Sequence, residues 1–270
     1  MTIAKLPYCG ELTRKYDSDR FLISLLMPPE RREALWALFA FNHEIAKTRE
    51  IVTETTIGLI RLQWWRDALA KIYEGNAAPE NEILPDLQKA IRAHDLPRAW
   101  FDELLYAREF DLENIPPASL EGLEKYAEFT TAPLNRLALK ITGQQENDET
   151  VRAVSIAYGL TGLIRAAPFH ASQQRRMMPA DLMAARGVNE YDLYDMKPGA
   201  GFCEVIRTVA ASGQAFLKAS KPRGKFLKAV GAASSLYLKQ IKGLDYNVFD
   251  PRLAHGPAFY LLRFLMNSLL

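Results

Sequence analysis

No proline interrupts the chain between Pro29 and Pro79, and across that stretch apolar residues recur at helical spacing. Leu35, Leu38, Phe39, Phe41 and Ile45, continued by Ile51 and Val52, mark one face of a long helix that starts at Pro29. A proline fits the first helical turn, and Glu30 and Glu33 complement the dipole there. Thr55 or Thr56 supplies a cap for a second helix over 57–73, stopped by Glu74-Gly75-Asn76. Two long helices back to back commit the chain to an all-α architecture.

The remaining sequence repeats the alternation. Helices are expected over 86–94, 98–112, 120–142, 148–167, a short segment ending at Arg186-Gly187, 202–219, 223–243 and 258–270. Pro133 should kink or restart the third of these, and Pro168 should interrupt the 148–167 run. Gly159 and Gly162 sit inside that run, where each costs about 1 kcal/mol, so close helix packing or approach of a ligand is needed to explain them. Residues 188–201 and the segment YNVFDPRLAHGP read as connections. With no strand series, repeat or low-complexity linker, the expectation is one domain over 1–270.

A length of 270 residues suffices for one sizeable core, and 49% apolar with 24% charged residues is ordinary globular composition. A net charge of +2 gives no general attraction for nucleic acid, which is excluded as a partner, and any basic surface must be local. Cys9 and Cys203 cannot build a disulfide framework or a conventional zinc site, which fits a reducing compartment. The N-terminal run lacks a signal core and is not acid-poor. No apolar run approaches the ~20 residues that span a bilayer. The expected location is cytoplasmic or peripheral on the inner face of the inner membrane, in a bacterium or, for a processed form, in the mitochondrial matrix.

Four segments, LFAFNHEIAKTRE, GLIRLQWWRDAL, YAEFTTAPLNRLALKITG and AYGLTGLIRAAPFHASQQRRMMP, together resemble the squalene/phytoene synthase family. The resemblance implies an isoprenoid-synthase-type helical bundle around a central apolar cavity. In that family two Asp-rich helical motifs hold Mg²⁺ on a prenyl diphosphate, a task that suits a hard cation and carboxylate oxygens. Laid on the first motif, DDxxD, this chain reads Ala46-Lys47-Thr48-Arg49-Glu50. The second, NxxRDxxxD, falls on Gly162, Arg165, Ala166 and His170, in a stretch that has no Asp or Glu from Thr150 to Ala180. Within the family the chain resembles the branch of respiratory complex I assembly factors. That branch implies a non-catalytic protein with no metal or cofactor, whose partners are complex I subunits or assembly intermediates and an isoprenoid or other lipid. The alternative is an active prenyl-diphosphate transferase with an unconventional Mg²⁺ site at Glu50, where Glu54 would stand one helical turn away on the same face. A salt-bridged surface with Lys47 and Arg49 is the plainer reading of those two acids.

Lys47, Arg61, Arg152 and Arg165 are the candidates for an anionic head group held without metal. For Arg165, set in an apolar helix, pairing with Glu44 or Glu50 is the structural alternative. Of Trp64 and Trp65, one indole should face the core and the other a groove, unless both are packed inside. His43 and His170 fall beside the two motifs and are read as structural or exposed unless they join Glu50 as metal ligands. Asn42 and Gln63 would bridge the helix pair, and Tyr126, Asn135 and Tyr158 are cavity-wall candidates by the resemblance. Lys218, Lys221, Arg223, Lys225 and Lys228, flanked by Phe216, Leu217, Phe226 and Leu227, form a basic cluster suited to an anionic membrane surface or a solvated helix face. The last helix, with Phe259, Leu262, Leu265 and Leu269, either closes the core or forms a docking surface.

Overall fold

The computed structural model describes residues 6–77, 79–197 and 199–269, and among them every regular element is a helix. The helices gather into two compact units. Unit 1 takes the chain up to Glu113 with Pro133–Glu146 and Gly224–Phe226, and unit 2 takes Asn114–Ala132, Asn147–Arg223 and the chain from Leu227.

Unit 1 holds α1 (Tyr8–Tyr16), α2 (Ser18–Leu25), α3 (Pro29–Ala46), α4 (Thr48–Ile51), α5 (Thr55–Tyr73), α6 (Leu84–His94) and α7 (Arg98–Glu113). From Leu35 to Asn42 every residue of α3 is buried, because α1, α6 and α7 pack around it. A helix apolar on all sides has to be central. Phe41 meets Trp65 and Phe101 edge-on, each at 5.4 Å, which ties α3 to the α5–α7 pair. The Trp36 indole donates to Ser24 Oγ at 2.7 Å, so its one polar atom is satisfied inside the core. The expected continuation of the first helix through Val52 does not occur: α3 stops at Ala46, and Val52 is extended at φ −117°, ψ 142°. Thr55 caps nothing. Its hydroxyl donates instead to the Leu112 carbonyl.

Unit 2 is built on α9 (Asp148–Arg165) against α13 (Ala200–Ala219), with α10 (Ala167–Ser172), α11 (Ala180–Ala185), α12 (Glu190–Tyr194), most of α14 (Lys225–Gly243) and α15 (Tyr260–Leu269). Ile156, Leu160 and Ile164 of α9, Phe202, Val205, Ile206 and Val209 of α13, and Leu238 and Ile241 of α14 share one core cluster. The Asn147 side chain caps α9 by accepting from the Thr150 N–H at 2.7 Å. Pro168 does not interrupt the 148–167 run. That helix ends at Arg165, and Pro168 occupies the first turn of α10, where its missing N–H costs nothing.

The eighth helix, α8 (Leu120–Thr142), belongs to both units, dividing at Pro133, and it is not restarted there. It ends at Gly143, whose φ of +67° is one that side-chain-bearing residues adopt at a cost. Just beyond, Gln144 Oε1 and Glu146 Oε1 accept from the Phe226 and Gly224 N–H groups, fixing the start of α14.

Candidate functional site

In unit 1 the first motif straddles the end of α3. Glu44 is the anchor: one carboxylate oxygen takes the Lys47 ammonium, and Arg61 from α5 donates to the other at 2.7 Å. Both cations also meet the partial negative charge at the α3 C-terminus. Because α4 ends at Ile51 and the chain then runs extended, Glu50 and Glu54 do not share a helical face, and the clamp imagined for them is not formed. Lys47 turns back to Glu44. Arg49 donates to the Val52 carbonyl at 3.2 Å.

Trp65 is buried while Trp64, edge-on to it at 5.0 Å, is 41% exposed. Trp64 lines an open depression with Ile51, Val52, Ile57, Ile60 and Arg61, so one indole does face the core and the other a groove. His43 stacks on Tyr16 at 4.5 Å, and burial, aided by Lys47, lowers its pKa. Gln63 does not bridge the helix pair, because it is exposed and donates to Asp67 along α5. Asn42 is buried, with an Oδ1 that has no protein partner.

The second motif divides between two cavities of unit 2. Gly162, Arg165 and Ala166 line an open depression of about 640 Å³ with Phe169 and Asp250. The Arg165 guanidinium lies 3.5 Å over the Tyr237 ring, a cation–π contact. Asp250 is gripped by Arg252 through Nη2 at 2.7 Å and Nε at 3.0 Å, and that hydrogen bonding holds its carboxyl down to about 2. Gly159 and Gly162 have separate reasons. A Cβ on Gly159 would stand 2.8 Å from Ala127 Cβ, so α8 and α9 cross there, whereas Gly162 faces open space.

His170 lines a different cavity, of about 230 Å³, walled by Met178, Met183, Leu193 and Phe202. The turn between α9 and α10 separates it from Ala166. Burial, with Arg175 beside it, pushes His170 down to about 4, so the ring is neutral at physiological pH. Neither its Nδ1 nor the Arg175 Nε has a protein hydrogen-bond partner, and each such buried group costs ~1–3 kcal/mol. The sequence reading missed Arg175 here, although the unusual QQRRMM run was its signal.

The four candidate cations do not converge as a group. Lys47 and Arg61 share Glu44, Arg152 pairs with Glu128 at 2.9 Å, and Arg152 stands about 20 Å from Arg165 along α9. Asn135 is buried in unit 1, while Tyr126 and Tyr158 are partly buried in unit 2. Lys218, Lys221, Arg223 and Lys225 are exposed and Lys228 is partly so; of the flanking apolar residues Phe226 and Leu227 are core residues, while Phe216 and Leu217 are partly buried. α15 buries Phe264 and exposes Phe259, Leu261, Leu262, Leu265 and Met266; the Leu269 side chain lies outside the described residues. No described helix is long and apolar enough to cross a membrane.

The donor set does not fit magnesium. Among the described residues no three His, Cys, Asp or Glu side chains are placed to hold a metal, and apart from Glu50 the motif's acid positions offer alkyl groups, a cation and an imidazole in place of carboxylates.

The family model for squalene/phytoene synthase matches residues 13–256. Complex I assembly factor 6 of Bos taurus is 34% identical over 255 residues, covering 91% of this chain and 76% of that protein. The Homo sapiens counterpart is 32% identical over 257 residues, with the same coverage. A crystal structure of a dehydrosqualene synthase with a ligand has a TM-score of 0.80 at 15% identity, covering 97% of this chain and 94% of that one.

Proposed function

The chain belongs to the squalene/phytoene synthase family, and from that premise we propose that it acts by binding, as an assembly factor for respiratory complex I, and not by making prenyl products. The observation that carries this reading is that Ala46 and Lys47 stand where the family's first metal-binding acids would, with Lys47 and Arg61 locked onto the neighbouring Glu44. Such a site attracts anions and repels divalent cations. The kinship with assembly factors supplies the role, and a prenyl or other lipid is the candidate small ligand.

The protein would work at a membrane surface, which it meets through α15. Phe259, Leu261, Leu262, Leu265 and Met266 are exposed together, residues 251–270 contain no Asp or Glu, and Arg252 and Arg263 give the segment a positive charge. An amphipathic helix of this kind lies in the interface of an anionic bilayer. Flotation with vesicles containing cardiolipin should carry the protein up, and the Leu262→Asp/Leu265→Asp variant should stay behind. Equal flotation of both would remove α15 from the role.

Deletion in the host tests the function itself. Complex I content on native gels and NADH:ubiquinone oxidoreductase activity should fall and return on complementation. Unchanged complex I, together with turnover of farnesyl or geranylgeranyl diphosphate in Mg²⁺, would replace this reading with the transferase.

A further inference from the structure

We propose that the cavity beside His170 in unit 2 binds a compact, singly charged amphiphile: a carboxylate with a short branched or medium-length apolar body. This goes beyond the assembly role and does not depend on it.

The cavity's polar lining is His170 and Arg175 with the Arg176–Glu190 pair and Tyr194. Arg175 projects from the turn after α10, and its hydrogen-bond contacts within the protein are a backbone bond from its N–H to the His170 carbonyl and a weak one from Nη2 to Met177 Sδ at 3.9 Å. Among the described residues no ion pair joins it to a carboxylate. Its Nε and the Nδ1 of His170 are shielded from solvent and lack protein partners. A partly buried guanidinium without a counter-charge is a recognition element for a carboxylate, which can accept from its planar fork while a second oxygen accepts from an imidazole N–H.

Charge counting sets the valence. His170 is neutral, and Arg176 at the rim is paired with Glu190, so the cavity carries one uncompensated positive charge. A diphosphate would bring at least two negative charges and meet Glu190 as well. The apolar body is set by the opposite wall. Met178, Met183, Leu193 and Phe202 present no polar side-chain group, and methionine adapts to irregular shapes. At about 230 Å³ the space is below the ~300–1,000 Å³ usual for ligand sites, which admits a compact tail and excludes a long prenyl chain.

The test uses the full chain with hexanoate, octanoate and geranate, and with inorganic phosphate and diphosphate as contrasting anions. Binding is followed by calorimetry and by the ring-nitrogen NMR signals of the four histidines, assigned with His170→Gln. Octanoate or geranate should bind and move the His170 Nδ1 signal while leaving His255 in place. Arg175→Gln should weaken that binding about ten- to hundredfold. Arg175→Lys, which keeps the charge and loses the fork, should fall between, and it serves as the deciding variant if Arg175→Gln does not fold. An unmoved His170 signal with every carboxylate, undiminished binding in both Arg175 variants, or tighter binding of diphosphate than of octanoate would each overturn the proposal.

Discussion

Two glycines three residues apart on α9 should respond to the same substitution with opposite signs. A Cβ at Gly162 has no heavy atom within 4 Å, so Gly162→Ala should gain the full helix-propensity difference, about 0.8–1 kcal/mol. At Gly159 the same methyl would sit 2.8 Å from Ala127 Cβ and 3.0 Å from Ala127 O. The second contact is backbone, so α8 and α9 must separate, and overpacking of this kind costs ~1–3 kcal/mol. Set against the propensity gain, Gly159→Ala should destabilise by about 1 kcal/mol, leaving the two variants roughly 2 kcal/mol apart. Urea titration followed by circular dichroism measures this directly. Adding Ala127→Gly should recover part of the Gly159→Ala loss and do nothing for Gly162→Ala. If Gly159→Ala were as stable as Gly162→Ala, the close crossing of α8 and α9 would be wrong. Gly162→Ala has a second use: it places a methyl in the depression that Arg165 lines, so lost function with raised stability would locate a binding surface there.

Two further perturbations probe charge. His170 is lowered to about 4 in the folded protein against 6.5 when unfolded, so its contribution to stability is complete above pH 6.5 and is lost as pH falls toward 4. That amounts to about 3 kcal/mol in full and about 2 kcal/mol by pH 5. His170→Gln should remove this part of the difference between urea midpoints at pH 7 and pH 5, and an unchanged difference would mean the ring is not held neutral. Glu44→Gln leaves Lys47 and Arg61 without their shared carboxylate. With these side chains 14% to 30% exposed, the loss should lie between that of a surface pair and a buried one, about 1–3 kcal/mol, measured by denaturation at low and high salt.

The long helices were legible because their signals are local. Pro29 opens α3, Gly143 closes α8, and the apolar spacing needs no knowledge of neighbours. The break after Ala46 was not legible, since Ile51 and Val52 continue the apolar pattern and Lys47, Arg49 and Glu50 suit a helix well. What ends α3 is long-range: Glu44 fixes Lys47 from one side and Arg61, from a different helix, on the other. Pro168 was misread for a simpler reason, because a proline that breaks one helix is equally suited to start the next. In the basic cluster the α14 register turns Phe226 and Leu227 inward, while Phe216 and Leu217 stay partly exposed, a difference that sequence spacing alone does not reveal. The His170 cavity draws its walls from α10, the turn after it, α11, α12 and α13, and no spacing in the sequence brings those together. The motif positions themselves were legible through family resemblance, and physics alone would have offered only two positively charged helix ends.

The structure gives the missing acids a consequence that a list of substitutions would not. Restoring one carboxylate to the first motif, at Ala46, would set it beside Lys47 and within the field of Arg61, so its first partner would be a cation already in the protein. In the second motif the one acid lining the depression, Asp250, is committed to Arg252, and the residue aligned with the last aspartate, His170, opens into another cavity. Residues around the former ligand positions have thus acquired structural ties: Glu44 joins α3 to α5, Arg165 covers Tyr237, and Asp250 caps the turn at Pro251. Removing these ties costs stability, so a return to metal chemistry would require breaking several contacts before any benefit appeared. On the reading proposed above, what holds the protein to a binding role is the set of interactions that replaced the metal, more than the absence of the metal's ligands.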